Sequence, residues 1–147
     1  MGSTEPRRGS TVVPCVQYRN AGAMIDWLCE VVGFERHAVY RTEDDEVAHA
    51  ELTLGAGMLM VSSVRERTPS EPWTELTRHP DELDGRVETQ APSLYVQDPD
   101  AVYARVKSRG GEIVMDIEDK HYGGRGFCCR DPEGHLWSIG SYDPWNA

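Results

Sequence analysis

The sequence predicts an α+β fold made of two tandem βαβββ modules whose mixed sheets curve into a cup. Three observations carry this. The order strand, helix, three strands occurs twice along the chain. Setting Gly33 on Gly111 places Met24 on Val102 and Leu28 on Val106. The corner LGAGMLM then overlies the corner DPEGHLW with one residue of slippage. A period of this length exceeds a solenoid unit, so the duplication reads as two modules side by side. The expected organisation is a disordered tail over 1–10 and one domain over 11–147, with module one at 12–63, a connection at 64–90 and module two at 91–142.

In the first module TVVPCVQY, Thr11 to Tyr18, is β-branched and apolar, which predicts a strand, and Asn20 follows as a helix cap. Met24, Leu28 and Val31 then recur at helical spacing, and Gly33 is a stop signal. Three strands should follow, at about 34–41, 46–54 and 57–63, turning at the acidic TEDDE run and at Gly55, Ala56 and Gly57. The second module repeats the order with APSLYVQ as strand, Asp98 as cap, Val102 and Val106 on a helix, and Gly110 and Gly111 as the stop. Three more strands close the chain.

Period-two alternation assigns the faces of these strands. In AHAELTL it sends Ala50, Leu52 and Leu54 towards the helix and His49, Glu51 and Thr53 away from it. The same logic puts Met58 and Met60 under the first helix with Leu59, Val61 and Ser63 opposite, and Trp137 and Ile139 under the second with Leu136, Ser138 and Gly140 opposite. Each sheet thus keeps a mixed second face, and two such faces curving together make a cleft of ligand-binding character. The polar connection over 64–90 is long for a compact domain, and Trp73 within it is expected to be buried, over the cup, at a dimer contact or against its own module.

Composition excludes several classes. With 25 acidic against 15 basic residues the net charge is −10, which repels phosphate backbones and argues against nucleic acid. No apolar run approaches the roughly 20 residues that cross a bilayer, and MGSTEPRRGS lacks the apolar core of a signal peptide. The protein is therefore expected in the cytoplasm, with no membrane partner. Cys15, Cys29, Cys128 and Cys129 have neither zinc-binding nor redox spacing and read as reduced thiols. There is no G-x-S-x-G elbow, phosphate-binding glycine motif or identifiable triad.

RDPEGHLWSIGSYDPW, Arg130 to Trp145, preceded by YGGRGF, resembles the C-terminal half of the vicinal oxygen chelate superfamily, which includes glyoxalase I, extradiol dioxygenases and bleomycin-resistance proteins. AHAELTLGAGMLMVSS and PCVQYRNAGAMIDWLCEVVGFE resemble its first half, so the resemblance runs from about Val12 to Trp145. It implies a small-molecule site in the cup and, in metal-dependent members, one divalent ion held by His, Gln or Glu from the first and last strands of each module. Carried over, those positions fall on Val13 (or Pro14) and Val61, and on Ala91 and Ser138, which are not strong ligands for a hard divalent ion. No metal and no cofactor are expected at that position. A displaced site built on His49 and Glu51 stays open, with Gln17 or His121 joining.

The candidate ligand contacts are Gln17, His49, Glu51, Tyr95 and Ser138 on strands, and His121, Tyr122 and Arg125 on the loop EDKHYGGRG, which also carries Lys120. His121 is the candidate general base, because imidazole titrates near neutrality. Glu51 and the net charge of −10 lead to an expected preference for neutral or cationic, partly aromatic ligands. The first function expected is metal-independent sequestration by a homodimer. A metal-dependent lyase, isomerase or dioxygenase with an unusual ligand set, and a metabolite-sensing regulatory module, stay open, so catalysis itself is left undecided.

Overall fold

The computed structural model describes residues 9–84 and 86–146, so most of the tail expected over 1–10 lies outside the described residues. The chain divides into two compact units, one ending at Val64 and one beginning at Arg65. In the first, β1 (Cys15–Tyr18) leads into α1 (Ala21–Trp27), which is extended by a π turn over Leu28–Val32. β2 (Glu35–Arg41), β3 (Val47–Leu54) and β4 (Gly57–Ser63) follow. The second opens with the connection, which carries α2 (Pro72–Leu76) and a 3-10 turn at Pro80–Glu82. Then come β5 (Ser93–Tyr95), α3 (Pro99–Ser108), β6 (Glu112–Asp119), β7 (Arg125–Arg130) and β8 (Leu136–Gly140). The sheets have matching orders, β1-β4-β3-β2 and β5-β8-β7-β6, each with one parallel pair, β1 with β4 and β5 with β8, and a helix that crosses from the first strand to the strand at the opposite edge.

Both modules use the same local devices. The first strand starts after a proline, which cannot donate to a ladder. The carbonyls of Pro14 and Pro92 instead accept from Met60 N at 2.9 Å and Ser138 N at 3.0 Å. Asn20 and Asp98 cap the helices by accepting from Ala23 N and Ala101 N, each at 3.1 Å. Each helix is closed by a glycine N–H reaching back five residues, Gly33 to Leu28 O and Gly111 to Val106 O. The expected pairing of Leu28 with Val106 therefore holds in hydrogen bonding as well as in sequence.

The second core is as expected: Trp137, Ile139, Val102 and Val106 are buried together with Phe127 and Cys129. In the first, Met24, Leu28, Ala50 and Leu52 are buried as expected, but the facing of β4 is reversed. Leu59 and Val61 are buried, whereas Met58 and Met60 are only half-buried on the other face. The cause is the tight turn that pairs Leu54 with Gly57, which sets Leu52 opposite Leu59 and Ala50 opposite Val61. Directly paired residues share a face, so Leu59 and Val61 must follow their partners to the helix. Trp73 is 65% exposed within the chain, which excludes burial against its own module and leaves it accessible for the expected dimer contact. α2 is one short turn whose inward side is taken by Thr74, whose hydroxyl accepts from Thr68 N at 2.9 Å and donates to Glu71 O at 2.8 Å. Trp73 and Leu76 are left on the outside.

The connection is fixed to the second module's corner. His79 is buried, and its Nε2 lies 2.9 Å from Glu133 Oε1 while its Nδ1 accepts from Asp81 N at 3.2 Å. The rings of His79 and His135 meet edge to face at 5.4 Å, and His135 also pairs with Glu88.

Candidate functional site

The open face of each sheet is the side turned away from its helix. On the first module it carries Gln17, His49, Glu51 and Tyr40. Gln17 is half-buried between the buried Val16 and Tyr18. His49 and Glu51, two apart on β3, point the same way, with Nε2 3.0 Å from Oε2. Tyr40, on the neighbouring β2, lies nearly parallel to the His49 ring with centroids 6.0 Å apart. The contact orients the imidazole but leaves both side chains accessible, at 38% and 26% exposure.

The second module's open face holds a cavity of about 260 Å³, just below the roughly 300–1,000 Å³ usual for small-molecule pockets. Its floor is β7 and β8 with Ser93 and Leu94 of β5, and includes Gly126, Cys128, Ser138 and Gly140. Gly126 and Gly140 are paired across the strands, and a Cβ on Gly126 would lie 2.9 Å from Ile139 O, so the backbones approach here as only glycine permits. Met115, Lys120, Tyr122, Arg125 and Tyr142 form the walls. The Tyr122 ring meets Tyr142 edge to face at 5.0 Å and His121 at 5.1 Å.

The glycines of the loop make that wall possible. Gly124 has φ of +71°, and a Cβ there would lie 2.5 Å from Tyr142 N. Lys120 N donates to Gly124 O at 2.9 Å, closing the turn that carries Tyr122. Arg125 is held from outside the cavity: its Nε lies 3.0 Å from Asp100 Oδ2 and its Nη1 3.4 Å from Asp119 Oδ1. The Asp100 hydrogen bond raises its affinity for its proton further. Lys120 Nζ donates to Glu118 at 2.9 Å, and that bond holds the ammonium above the usual lysine range.

Of the expected contacts, the structure therefore brings Tyr122, Arg125 and Ser138 together at one cavity. His121 stands behind Tyr122 as a ring neighbour and is not among the lining residues. Tyr95 sits on β5 opposite Gly140, is 48% exposed and does not line the cavity. Gln17, His49 and Glu51 form a separate group on the first module. Sequence reasoning passed over Met115, Cys128 and Tyr142, and noted Lys120 without assigning it a contact. Alternation could have found Cys128: Phe127 and Cys129 are buried, so Cys128 must face the other way.

The cysteines also divide by environment. Burial pushes the Cys129 thiol up to about 12, with Asp131 and Cys128 adding to the effect. Cys128 lines the cavity, half-buried and with a free thiol.

The donor set decides whether the superfamily's divalent ion fits. The matching Pro14 and Pro92 contacts make Met60 the counterpart of Ser138. Val61, assigned that place from the sequence, is the counterpart of Ile139 and is buried. Beside them in register stand Cys15 and Ser93, while the first-strand positions that the resemblance implies, Val13 (or Pro14) and Ala91, lie just before these strands and carry no side-chain donor. One module thus offers a thiol and a thioether, the other two hydroxyls, and a hard divalent ion needs carboxylate or imidazole donors. The residues do not fit that ion. Among the described residues no group of three or more His, Cys, Asp or Glu side chains is disposed to hold a metal, and no helix is long and apolar enough to cross a membrane.

Residues 11–139 match the family model described as the Glyoxalase/Bleomycin resistance protein/Dioxygenase superfamily. The chain is similar to the crystal structure of TioX from Micromonospora sp. ML1, with 27% identity, 90% of this chain and 98% of that one covered, and a TM-score of 0.63. It shares the fold of a glyoxalase/bleomycin resistance protein from Streptomyces sp. CB03234, at 18% identity, 89% and 99% coverage and a TM-score of 0.59. It also shares that of the lactoylglutathione lyase from Agrobacterium tumefaciens, at 17% identity, 89% and 92% coverage and a TM-score of 0.56. No curated protein matches the chain.

Proposed function

We propose, given that this chain belongs to the glyoxalase/bleomycin resistance protein/dioxygenase superfamily, that it binds a small, partly aromatic molecule on the open face of its second module and sequesters it without a metal. The observation that carries this reading is the cavity walled by Tyr122, Tyr142 and Met115 over a floor that includes Ser138 and Cys128. Flat aromatic faces with a few convergent polar groups are the usual makeup of a ligand site. The lack of carboxylate or imidazole donors at the superfamily's metal positions and their neighbours in register supports binding over Lewis-acid chemistry. The same reading has the protein act in the cytoplasm as a homodimer, with neither nucleic acid nor membrane as partner. Light scattering tests the dimer.

The binding claim is tested by a thermal-shift screen of small aromatic compounds in the presence of a chelator, on wild type and on Tyr122→Ala. Tyr122 is 55% exposed, so the substitution leaves the core intact. Stabilising hits that persist with chelator and weaken severalfold in the variant are expected. Hits that vanish with chelator, or that ignore Tyr122, contradict the reading.

A further inference from the structure

We propose that the second module's cavity selects an aromatic carboxylate, and that Lys120 is the residue that reads its charge. This rests on the cavity being the ligand site and adds the class of ligand that it takes.

The charges that line the cavity have one sign. They are Lys120 and Arg125, and none of the described lining residues is Asp or Glu. The two cations are not equivalent. Arg125 is committed to the fold, because Asp100 takes its Nε at 3.2 and 3.0 Å and Asp119 takes its Nη1 at 3.4 Å. Among the described residues the Lys120 side chain is anchored at one point, the 2.9 Å bond to Glu118. An ammonium has three N–H donors, and among the described residues Glu118 is the one acceptor bonded to them. The lysine side chain is 17% exposed while that of Glu118 is 63% exposed. The lysine stem is therefore largely covered while its carboxylate partner stands mostly in water, where screening weakens the pair. A ligand carboxylate entering the cavity meets an ammonium with donors to spare, and a charge-assisted bond is about twice as strong as a neutral one.

The remaining polar lining suits the same group. Ser138, Ser93 and the Tyr122 and Tyr142 hydroxyls can each donate to an acceptor-only carboxylate, while the tyrosine rings take the aromatic part. The overall charge of −10 opposes an anion, but that field is screened beyond about 8 Å at physiological ionic strength, so Lys120 dominates at contact. This reverses the preference that Glu51 suggested. Glu51 and its His49 partner stand on the first module's own sheet and are not among the cavity's lining residues.

The test is calorimetric titration of the full-length chain with naphthoate, naphthamide and naphthylmethylammonium, an anion, a neutral isostere and a cation on one ring system. Wild type should bind naphthoate about tenfold more tightly than either of the others. Lys120→Gln should lower naphthoate affinity by about that factor and naphthamide affinity by clearly less, so that the preference is lost, and Lys120→Arg should retain the preference. Equal binding of the three, tightest binding of the cation, or a preference that survives Lys120→Gln overturns the charge assignment while leaving the cavity as the ligand site. If none of the three binds, the charge assignment and the site fall together.

Discussion

Asp131 answers three donors in the second module's corner. Its Oδ1 accepts from Glu133 N at 3.0 Å and His135 N at 3.1 Å, and its Oδ2 accepts the indole N–H of Trp137 at 3.0 Å. The Asp of the D-P-x-G corner is thus structural, and it lets the largest core side chain bury its one polar atom satisfied. Trp137 is 1% exposed, so Trp137→Ala should cost roughly 3–5 kcal/mol, measured by urea unfolding. Cys129 gives a pH dependence at the same scale. Its thiol is raised from 9.0 to about 12 in the fold, so its contribution to stability is complete below the unfolded value. As pH rises above that value the unfolded chain releases a proton that the fold keeps, and the contribution is progressively lost. Between about pH 9 and 11 the urea midpoint of wild type should fall more steeply than that of Cys129→Ala.

Among the elements, the most sensitive piece near the site is the loop between β6 and β7. Gly124 combines φ of +71° with a close approach to the Tyr142 and Ser141 backbone, which cannot yield as a side-chain tip would. Gly124→Ala should destabilise by roughly 1–3 kcal/mol and expose the loop to limited proteolysis, with ligand affinity reduced because Tyr122 loses its seat. The elements were legible where the signal is local. Asn20 and Asp98 are caps, Gly33 and Gly111 close helices, and the alternation in β3 gave its facing correctly. The facing of β4 was not legible, because GMLMVSS has apolar residues on both sides through Met58, Leu59, Met60 and Val61. Periodicity cannot choose a face for a continuous apolar run, and the register imposed by the preceding turn does. Trp73 stands outside its own module for a related reason. One short helical turn buries one side, and Thr74 is that side.

At the scale of the whole molecule, duplication is the feature that made the fold readable, since two weak copies of one pattern support each other. It also guided the site, because the open faces follow from the strands. The composition of the cavity did not follow. Lys120, Tyr142 and Met115 meet Ser138 only because β6, β7 and β8 pair, and no spacing along the chain encodes that meeting. The donor set predicts that protein dialysed against nickel, zinc, manganese or iron carries no stoichiometric ion by elemental analysis. One ion per chain, lost on changing His49 or Glu51, would point instead to the displaced site on the first module.

Binding of a small aromatic molecule in the second module's cavity without a metal can be observed residue by residue. Its most direct test is amide chemical-shift mapping of the isotope-labelled full chain titrated with naphthoate in the presence of a chelator. Saturable shifts are expected on Tyr122, Gly126, Cys128, Ser138 and Gly140, with His49 and Glu51 unmoved. Shifts confined to the first module around His49 and Glu51, or no saturable shifts until metal is restored, would contradict it.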